Sequence, residues 1–292
     1  MSVFLQQLIN GISVGAVYAL IAVGFSLVYG VLNLVNFAHG DVLMSASFLT
    51  VVAYGVWNWP LVLAVIVGIT AGAVISMLVE LLTARPVRNA PRLIPMITTF
   101  GAALIIRSAV QATAGSATRP FGTPLSGSSF HLGGLRITWI SLVTIVVTIV
   151  AVTLFGAYLK FFKSGYGIRA AAQDLDTSRL MGIPINRTVL VMFGVGGALG
   201  VLGGLLYAAQ IQAVYPSFGF AILLKGFVAA ILGGIGNLKG AVIGGLILGV
   251  VEGLTGPYIS SAYLDAIAFA LLILVLLIKP NGLFGAQVQE RV

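Results

Sequence analysis

Polar side chains interrupt the apolar sequence between positions 33 and 41. Asn33, Asn36, His39 and Asp41 all fall in this run, which separates two long apolar stretches. Polar groups at membrane depth are costly unless they line a wet cavity or pair with other groups. The cluster could therefore meet a zwitterionic solute where a membrane helix is broken. Alternatively, the run is a cytoplasmic turn in which Asp41 only helps to start the next helix.

A second interruption is the glycine-rich run at 233–240. It separates two apolar pieces of about 16 residues each, which is shorter than the roughly 20 residues that a membrane-spanning helix needs. Short, glycine-interrupted segments in matching positions of two halves are typical of a transport site. Gly234, Gly236 and Asn237 are therefore candidates for the same solute pathway. The glycines could instead serve only to let neighbouring backbones approach each other.

A third polar region, at 160–187, is rich in lysine and arginine. Its middle predicts one short helix over about 170–181, which Gly182 and Pro184 end. A short helix that carries both charges and apolar residues could dock in a groove on a partner protein. It could also be an ordinary surface helix.

The chain offers little for catalysis. It contains no cysteine, two histidines and seven acidic residues. It has no Gly-x-x-x-x-Gly-Lys-[Ser/Thr] phosphate loop, no His-Glu-x-x-His pair and no Gly-x-Ser-x-Gly turn. No series of acids crosses the apolar segments as a proton relay would require. We therefore predict no catalytic residue, no metal and no cofactor, and any energy for transport must come from a partner.

Long apolar stretches surround these polar regions. Of all residues, 59% are hydrophobic and 8% are charged, whereas soluble domains carry roughly 25% charged residues. A helix is suited to cross a membrane because it satisfies its own backbone hydrogen bonds. Nine apolar segments lie at about 8–31, 41–57, 61–84, 94–113, 138–159, 188–211, 221–236, 240–256 and 264–279. The sequence predicts an all-α transmembrane bundle of about nine spans, with eight to ten allowed by the uncertain boundaries.

The basic residues lie in the gaps between these segments, which argues against a nucleic-acid-binding surface. The loops at 85–93 and 160–187 are basic, so both are expected in the cytoplasm by the positive-inside rule. The loop at 114–137 is rich in Gly, Ser, Thr and Pro and is expected outside. Counting from these loops places the N-terminus outside and the C-terminus, with Lys279 and Arg291, in the cytoplasm.

The segments divide into two blocks of four with opposite orientations. This division predicts an inverted repeat within one membrane domain that covers 1–292. The first repeat spans about 8–113 and the second about 188–279. A linker span at 138–159 and the cytoplasmic region at 160–187 join the two repeats.

Single charged residues and strips of glycine also lie inside the apolar segments. We expect Arg107 and Lys225 to lie near the outer face and to extend toward water. Glu80 is expected to pair with Arg85 near the inner face. Two strips with glycine at every fourth position predict close helix packing. They are Gly196, Gly200 and Gly204, and Gly245, Gly249 and Gly253.

The chain resembles the LivH-like permeases of branched-chain amino acid importers along almost its whole length. The stretches that carry the resemblance are 18–30, 36–41, 85–88, 169–174, 180–183, 227–237 and 280–285. Asp41 departs from the family pattern, which has glutamate at this position at least as often, but the charge is kept.

The resemblance implies an ABC importer subunit in the bacterial cytoplasmic membrane. It would move branched-chain amino acids, or a related amino acid or amide, inward by alternating access. Its partners would be a second related permease, two cytoplasmic ATPases, an extracytoplasmic binding protein and membrane lipid. The residues implied in coupling to an ATPase are Gly167, Arg169, Ala170, Asp174, Arg179 and Gly182. The alternative is a channel or solute carrier for small polar solutes that works without ATPases.

Overall fold

A computed structural model of the chain describes residues 2–132 and 134–285, so Arg291 lies outside the described residues. Eleven α-helices run through this part of the chain. They are α1 (Ser2–Leu32), α2 (Ala38–Gly55), α3 (Leu61–Val79), α4 (Leu93–Ala114), α5 (Trp139–Phe161), α6 (Lys163–Gln173), α7 (Leu175–Leu180), α8 (Ile185–Ile211), α9 (Phe218–Gly233), α10 (Leu238–Tyr258) and α11 (Leu264–Ile278). A π-helical turn, Glu80–Ala84, extends α3, and a short 3₁₀ turn, Ser261–Tyr263, precedes α11.

The predicted helical membrane bundle is confirmed. Seven of the described helices are long and apolar enough to cross a membrane: α1, α3 with its π turn, α4, α5, α8, α10 and α11 with its 3₁₀ turn. Of the two remaining predicted segments, α9 has 16 residues and α2 has 18 residues with a polar first turn. The total of nine spans therefore stays a prediction.

One segment was predicted too short. The apolar piece after the glycine-rich run is a helix of 21 residues, α10, rather than about 16. It begins directly after Asn237 and continues through Pro257, so its ends extend beyond the apolar residues. Of the two helices that flank the glycine-rich run, only α9 is therefore shorter than a usual membrane span.

Helices α1 and α8 form the centre of the bundle. In the most apolar stretch of α1, 83% of the residues are buried, and in that of α8, 72% are buried. The corresponding values are 17% for α5 and 11% for α11 with its 3₁₀ turn. The aliphatic side chains of α5 and α11 therefore cover the outside, where they are suited to contact lipid acyl chains.

Glycines let the central helices touch through their backbones. A Cβ on Gly24 of α1 would lie 2.6 Å from the carbonyl oxygen of Gly196 on α8. On the other side of α1, a Cβ on Gly11 would lie 2.8 Å from the carbonyl oxygen of Gly249 on α10. These approaches are too close for any side chain, so the packing role predicted for the two glycine strips is confirmed.

In each half of the chain, the first long helix packs against the third helix of the other half. Helix α1 packs against α10 as α8 packs against α3, and α1 and α8 also pack against each other. Helices α2 and α9 meet at their first turns, where a Cβ on Gly40 or on Gly219 would collide with the other's backbone. Such reciprocal packing is what an inverted repeat produces. The boundaries of the repeats stay predictions.

Short strands are the departure from an all-helical fold. In the loop expected outside, β2 (Ser129–Leu132) and β3 (Leu135–Thr138) form an antiparallel hairpin. Earlier in the same loop, β1 (Arg119–Pro120) pairs with β4 (Ala213–Val214) after α8. The second pairing joins the long loop to the connection between α8 and α9.

Candidate functional site

The polar run after α1 folds as a turn between two helices. Asn33 follows α1 with a positive φ of 51°, a conformation that asparagine adopts more readily than most residues. The side-chain oxygen of Asn36 accepts a hydrogen bond from the backbone N–H of Ala38, the first residue of α2, at 3.1 Å. The turn itself is thus confirmed. Asn33 supplies its left-handed residue, and the side chain of Asn36 holds its backbone.

Asp41 lies in the first turn of α2, where it forms an ion pair instead of a helix cap. Its side chain is 1% exposed. Nε of Arg107 on α4 donates to Oδ1 at 2.9 Å and Nη2 donates to Oδ2 at 3.0 Å. One expectation is therefore wrong, because Asp41 does not simply start α2. Arg107 pairs with Asp41 instead of only extending toward water. A charge-assisted, two-point hydrogen bond of this kind compensates for the burial of the carboxylate.

His39 lies between the two central helices and is 2% exposed. A Cβ on Gly200 of α8 would lie 2.7 Å from its Nε2, and its ring stands edge-on to Phe25 of α1, with ring centres 6.5 Å apart. Among residues 2–132 and 134–285, Nε2 has no hydrogen-bond partner. His39 therefore fills the space that a glycine leaves between the helices, and its place in the solute pathway stays a prediction.

An open cavity of about 950 Å³ lies between the ends of α1 and α5, α6 and the turn between α9 and α10. Three of the predicted pathway residues line it: Asn33, Gly236 and Asn237. Its other walls include three cations and an aromatic ring, namely Lys160, Arg169, Lys239 and Tyr29. We call this cavity the basic vestibule. It brings Arg169, implied in coupling, next to the predicted pathway residues.

Asn237 holds the turn between α9 and α10 through three hydrogen bonds. Its Oδ1 accepts from the backbone N–H groups of Lys239 at 3.0 Å and Gly240 at 3.2 Å. Its Nδ2 donates to the backbone carbonyl of Phe284 at 2.9 Å. Asn237 therefore caps α10 and also fixes the segment that follows α11.

The glycines of the same turn meet neighbouring backbone. Gly236 donates its N–H to Oγ of Ser26 on α1 at 2.8 Å. Gly234 has a φ of 99°, and a Cβ there would collide with the backbone of Gly285.

The predicted pathway residues thus form two groups. Asn33, Gly236 and Asn237 lie at the vestibule, while Asn36, His39, Asp41 and Gly234 are buried.

Lys225 of α9 joins two acids on neighbouring helices. Its Nζ lies 2.8 Å from Oε1 of Glu252 on α10 and 3.3 Å from Oδ1 of Asp265 on α11. The hydroxyl of Tyr18 on α1 donates to Oε2 of Glu252 at 2.7 Å. This network was not predicted from the sequence, and Lys225 pairs with acids instead of only extending toward water. Lys225, Glu252 and Asp265 are single charged residues of opposite sign in three apolar segments. Because buried charges pair with one another, these charges could have indicated the network.

The predicted cytoplasmic helix at 170–181 is two helices, α6 and α7, joined at Asp174. The carboxylate of Asp174 accepts the backbone N–H groups of Asp176 and Thr177, both at 2.9 Å, and caps α7. These hydrogen bonds, chiefly the one from Thr177, hold the pKa of Asp174 below its usual value. The single helix was wrong because this carboxylate takes amides that a continuous helix would use. Gly182, with a φ of 83°, follows α7 as predicted.

Helices α6 and α7 present exposed apolar and charged side chains together. The guanidinium carbon of Arg169 lies 4.8 Å from the ring centre of Tyr166. Leu180 and Met181 are 86% and 78% exposed. The remaining residues implied in coupling lie on the same two helices or in a cleft of about 910 Å³ beside them: Gly167, Ala170 and Gly182 line the cleft, and Asp174 and Arg179 are exposed. We call the exposed face of α6 and α7, together with Met181 directly after α7, the coupling surface.

Glu80, at the start of the π turn, is fully buried and held by two arginines. Nε and Nη2 of Arg85 donate to its carboxylate at 3.1 and 2.9 Å, and Nη2 of Arg88 donates to the same group. Nη1 of Arg88 also donates to Oδ1 of Asn186, in the first turn of α8, at 3.1 Å. The predicted pairing of Glu80 with Arg85 is confirmed. The cluster joins the end of α3 to the helix that follows the coupling surface.

These features together define a class of protein. A bundle of apolar helices, broken by polar turns and crossed by buried ion pairs, is an α-helical multi-pass membrane protein. The family model described as branched-chain amino acid transport system, permease component, matches residues 7–276. The chain therefore belongs to this family, as the sequence resemblance indicated.

Individual relatives agree with the family model. The chain is 37% identical to LivH, a high-affinity branched-chain amino acid transport system permease protein of Escherichia coli K12, over 99% of this chain and 98% of that protein. It is 35% identical, with the same coverage, to the corresponding protein BraD of Pseudomonas aeruginosa PAO1. A chain of PsaBC from Streptococcus pneumoniae, solved in complex with Fab, matches 96% of this chain and 93% of its own length with a TM-score of 0.50 and 15% identity. That likeness concerns the fold alone.

Proposed function

We propose that this chain is a membrane-spanning subunit of an ABC importer that carries branched-chain amino acids, or a related amino acid or amide, into the cell. The observation that carries the proposal is the similarity to LivH and BraD, at 37% and 35% identity over 99% of the chain. Both relatives are permease proteins of branched-chain amino acid transport systems. A match of this extent includes the membrane helices, the polar turns and the coupling surface alike.

Energy for accumulation would come from partner ATPases, while this chain itself catalyses no reaction. The coupling surface supports this division. Exposed apolar side chains such as Leu180 and Met181, on a short helix with charged neighbours, fit a groove on another protein. The proposed coupling residues remain Gly167, Arg169, Ala170, Asp174, Arg179 and Gly182.

The assembly would contain a second related permease, two ATPases on the cytoplasmic side and a binding protein on the outer side. The chain would lie in the bacterial cytoplasmic membrane with its N-terminus outside and its C-terminus in the cytoplasm, because the basic loops favour the inner side. The basic vestibule would then open to the cytoplasm. Asn33, Gly236 and Asn237 would meet the solute as it leaves for the cytoplasm. By then it would have passed the buried pathway residues, namely Asn36, His39, Asp41 and Gly234.

Closure of the ATPases on ATP would move α6 and α7 and thereby bias the bundle between outward-open and inward-open states. The hydrogen bond between Arg88 and Asn186 offers a path for this movement, since it connects the start of α8 with the loop after α3. The Glu80 carboxylate holds that loop rigidly to α3.

Uptake by the complete assembly tests the proposal. The complex is purified through a tag on this chain and placed in proteoliposomes, with its binding protein outside and ATP inside. We expect labelled leucine to accumulate with ATP and not with ADP. Leucine equilibration that is independent of ATP would instead favour the channel or carrier alternative, and no amino acid uptake under either condition would refute the proposed function.

A further inference from the structure

Arg107 presents an unusual combination of depth and exposure. It lies seven residues before the last residue of α4, Ala114, which places it about 10 Å from that end of the helix. Its side chain is 26% exposed, whereas the carboxylate of its partner Asp41 is 1% exposed. The ion pair is thus enclosed on the Asp41 side and open on the guanidinium side.

The open side of the guanidinium has free donors. Asp41 uses Nε and one N–H of Nη2, both on the same edge of the planar group. Among residues 2–132 and 134–285, no group accepts a hydrogen bond from Nη1. The second edge, formed by Nη1 and the other N–H of Nη2, therefore remains available, and its geometry matches a carboxylate.

Lipid is a poor neighbour for this edge. A charge at membrane depth is stable where it faces protein or water, and not where it faces acyl chains. The exposed part of α4 near Arg107 is mixed: Ser108 and Gln111 are exposed, beside Leu104 at 46% and Ile105 at 72%. On α5, the exposed stretch around Val146 and Ile149 is aliphatic. Arg107 therefore has exposed polar side chains among its neighbours on α4.

One exposed aromatic ring lies beside the guanidinium, and a second lies two turns away on α4. The guanidinium carbon of Arg107 lies 5.9 Å from the ring centre of Phe220 on α9, and this ring is 37% exposed. Phe100, two turns earlier on α4, is 45% exposed and contacts Phe37 edge to face at 6.2 Å. A fixed cation edge beside apolar rings can hold a carboxylate and an aliphatic side chain at the same time.

We propose that Arg107 is a substrate contact on the wall of the passage between this chain and the second permease. Its free edge binds the carboxylate of the zwitterionic amino acid, and Phe220 and Phe100 contact the aliphatic side chain. Asp41 keeps the guanidinium oriented and is near enough to attract the ammonium group. This inference rests on the proposed function and assigns the position at which the solute is held.

Accessibility to a charged thiol reagent tests the first part of the inference. Because this chain has no cysteine, a single substituted cysteine is the only thiol that can be labelled on it, and its label is read on this chain after the subunits are separated. Ser108→Cys and Phe220→Cys are compared with Ile149→Cys, which is 60% exposed at the outside of α5. In the complete complex we expect a membrane-impermeant thiosulfonate to modify the first two and not the third, and leucine to protect them. Failure of both to react, or reaction without protection by leucine, would overturn the inference.

A conservative change then tests the role of the guanidinium itself. Arg107→Lys keeps the charge and the partner of Asp41 but loses the planar second edge. In the Ser108→Cys background, we expect the leucine concentration that gives half protection to rise roughly 10- to 100-fold, as for a lost charge-assisted hydrogen bond. Arg136→Lys, on the outer hairpin, is the matched control and should leave it unchanged.

The outcomes separate this inference from the proposed function. If the assembly accumulates leucine with ATP but Arg107→Lys leaves half protection unchanged, Arg107 is not a substrate contact and the importer assignment stands. If the Ser108→Cys thiol becomes reactive only when the second permease is removed, the α4 face is a protein interface and the inference is wrong. If the unsubstituted assembly transports no amino acid, the proposed function itself fails.

Discussion

Replacing Glu80 tests how the end of α3 is held. Its side chain is 0% exposed, while its partners Arg85 and Arg88 are 32% and 13% exposed. Removing one member of a buried ion pair costs about 3–5 kcal/mol, because the remaining charge is left buried without compensation. Since water can partly solvate Arg85, we expect Glu80→Ala to lower the free energy of unfolding by about 3 kcal/mol, at the lower end of that range.

The two arginines provide the matched comparison. Arg88→Ala removes a nearly buried partner and the hydrogen bond to Asn186, so we expect a loss of about 2 kcal/mol. Arg85→Ala removes the more exposed partner and should cost about 1 kcal/mol. The unfolding free energy of each purified variant is measured by denaturant titration in the same detergent. A loss for Arg85→Ala equal to that for Glu80→Ala would refute this ranking, as would a Glu80→Ala variant as stable as the parent chain.

Three further predictions, each with a comparison variant, test other parts of the structure. Gly24→Ala places a Cβ 2.6 Å from a carbonyl oxygen and should cost about 1–3 kcal/mol. Gly256→Ala meets no atom within 4 Å and should not lower the melting temperature. Asp174→Ala removes the cap of α7 and should abolish uptake, whereas Asp174→Asn, an equally good cap, should retain most of it. Because hydrogen bonds lower the pKa of Asp174, its cap is fully present above the usual aspartate pKa and is lost only as pH falls through the lowered value. This group should therefore produce no step in uptake between about pH 6 and 8. Lys225→Met leaves Glu252 buried without its cation and should cost about 3–5 kcal/mol, while Lys225→Arg should cost less in the same unfolding assay.

Much of the architecture follows from local sequence. Long apolar runs predicted the helices, and the polar breaks at 33–41 and 233–240 fall where the structure has turns. The glycine strips predicted close backbone contacts because a glycine has no Cβ, so a neighbouring backbone can approach at that position. Local composition is sufficient for such features, since each is decided within a few residues.

The break between α6 and α7 at Asp174 was not predicted from the sequence. The run from Arg169 to Arg179 has good helix-forming residues on both sides of Asp174. An aspartate can continue a helix or cap a new one, and the choice depends on which amides its carboxylate reaches. Here it reaches Asp176 and Thr177, which periodicity alone does not reveal.

The buried ion pairs depend on tertiary packing. Asp41 and Arg107 are 66 positions apart, and Lys225 meets acids on two other helices. Sequence spacing shows that each charge is isolated in its own segment but not which helices become neighbours. Arg107 and Lys225 were therefore expected only to extend toward water, whereas the structure also gives each a partner inside the bundle.

The side of the membrane on which the coupling surface lies offers the most direct test of an ATPase-driven permease. Met181→Cys places a single thiol on this surface in a chain without other cysteines. We expect an impermeant maleimide to label it in inverted membrane vesicles and not in intact cells, and bound ATPase subunits to protect it. Labelling in intact cells would put α6 and α7 outside, beyond the reach of any cytoplasmic ATPase, and would contradict the proposed function.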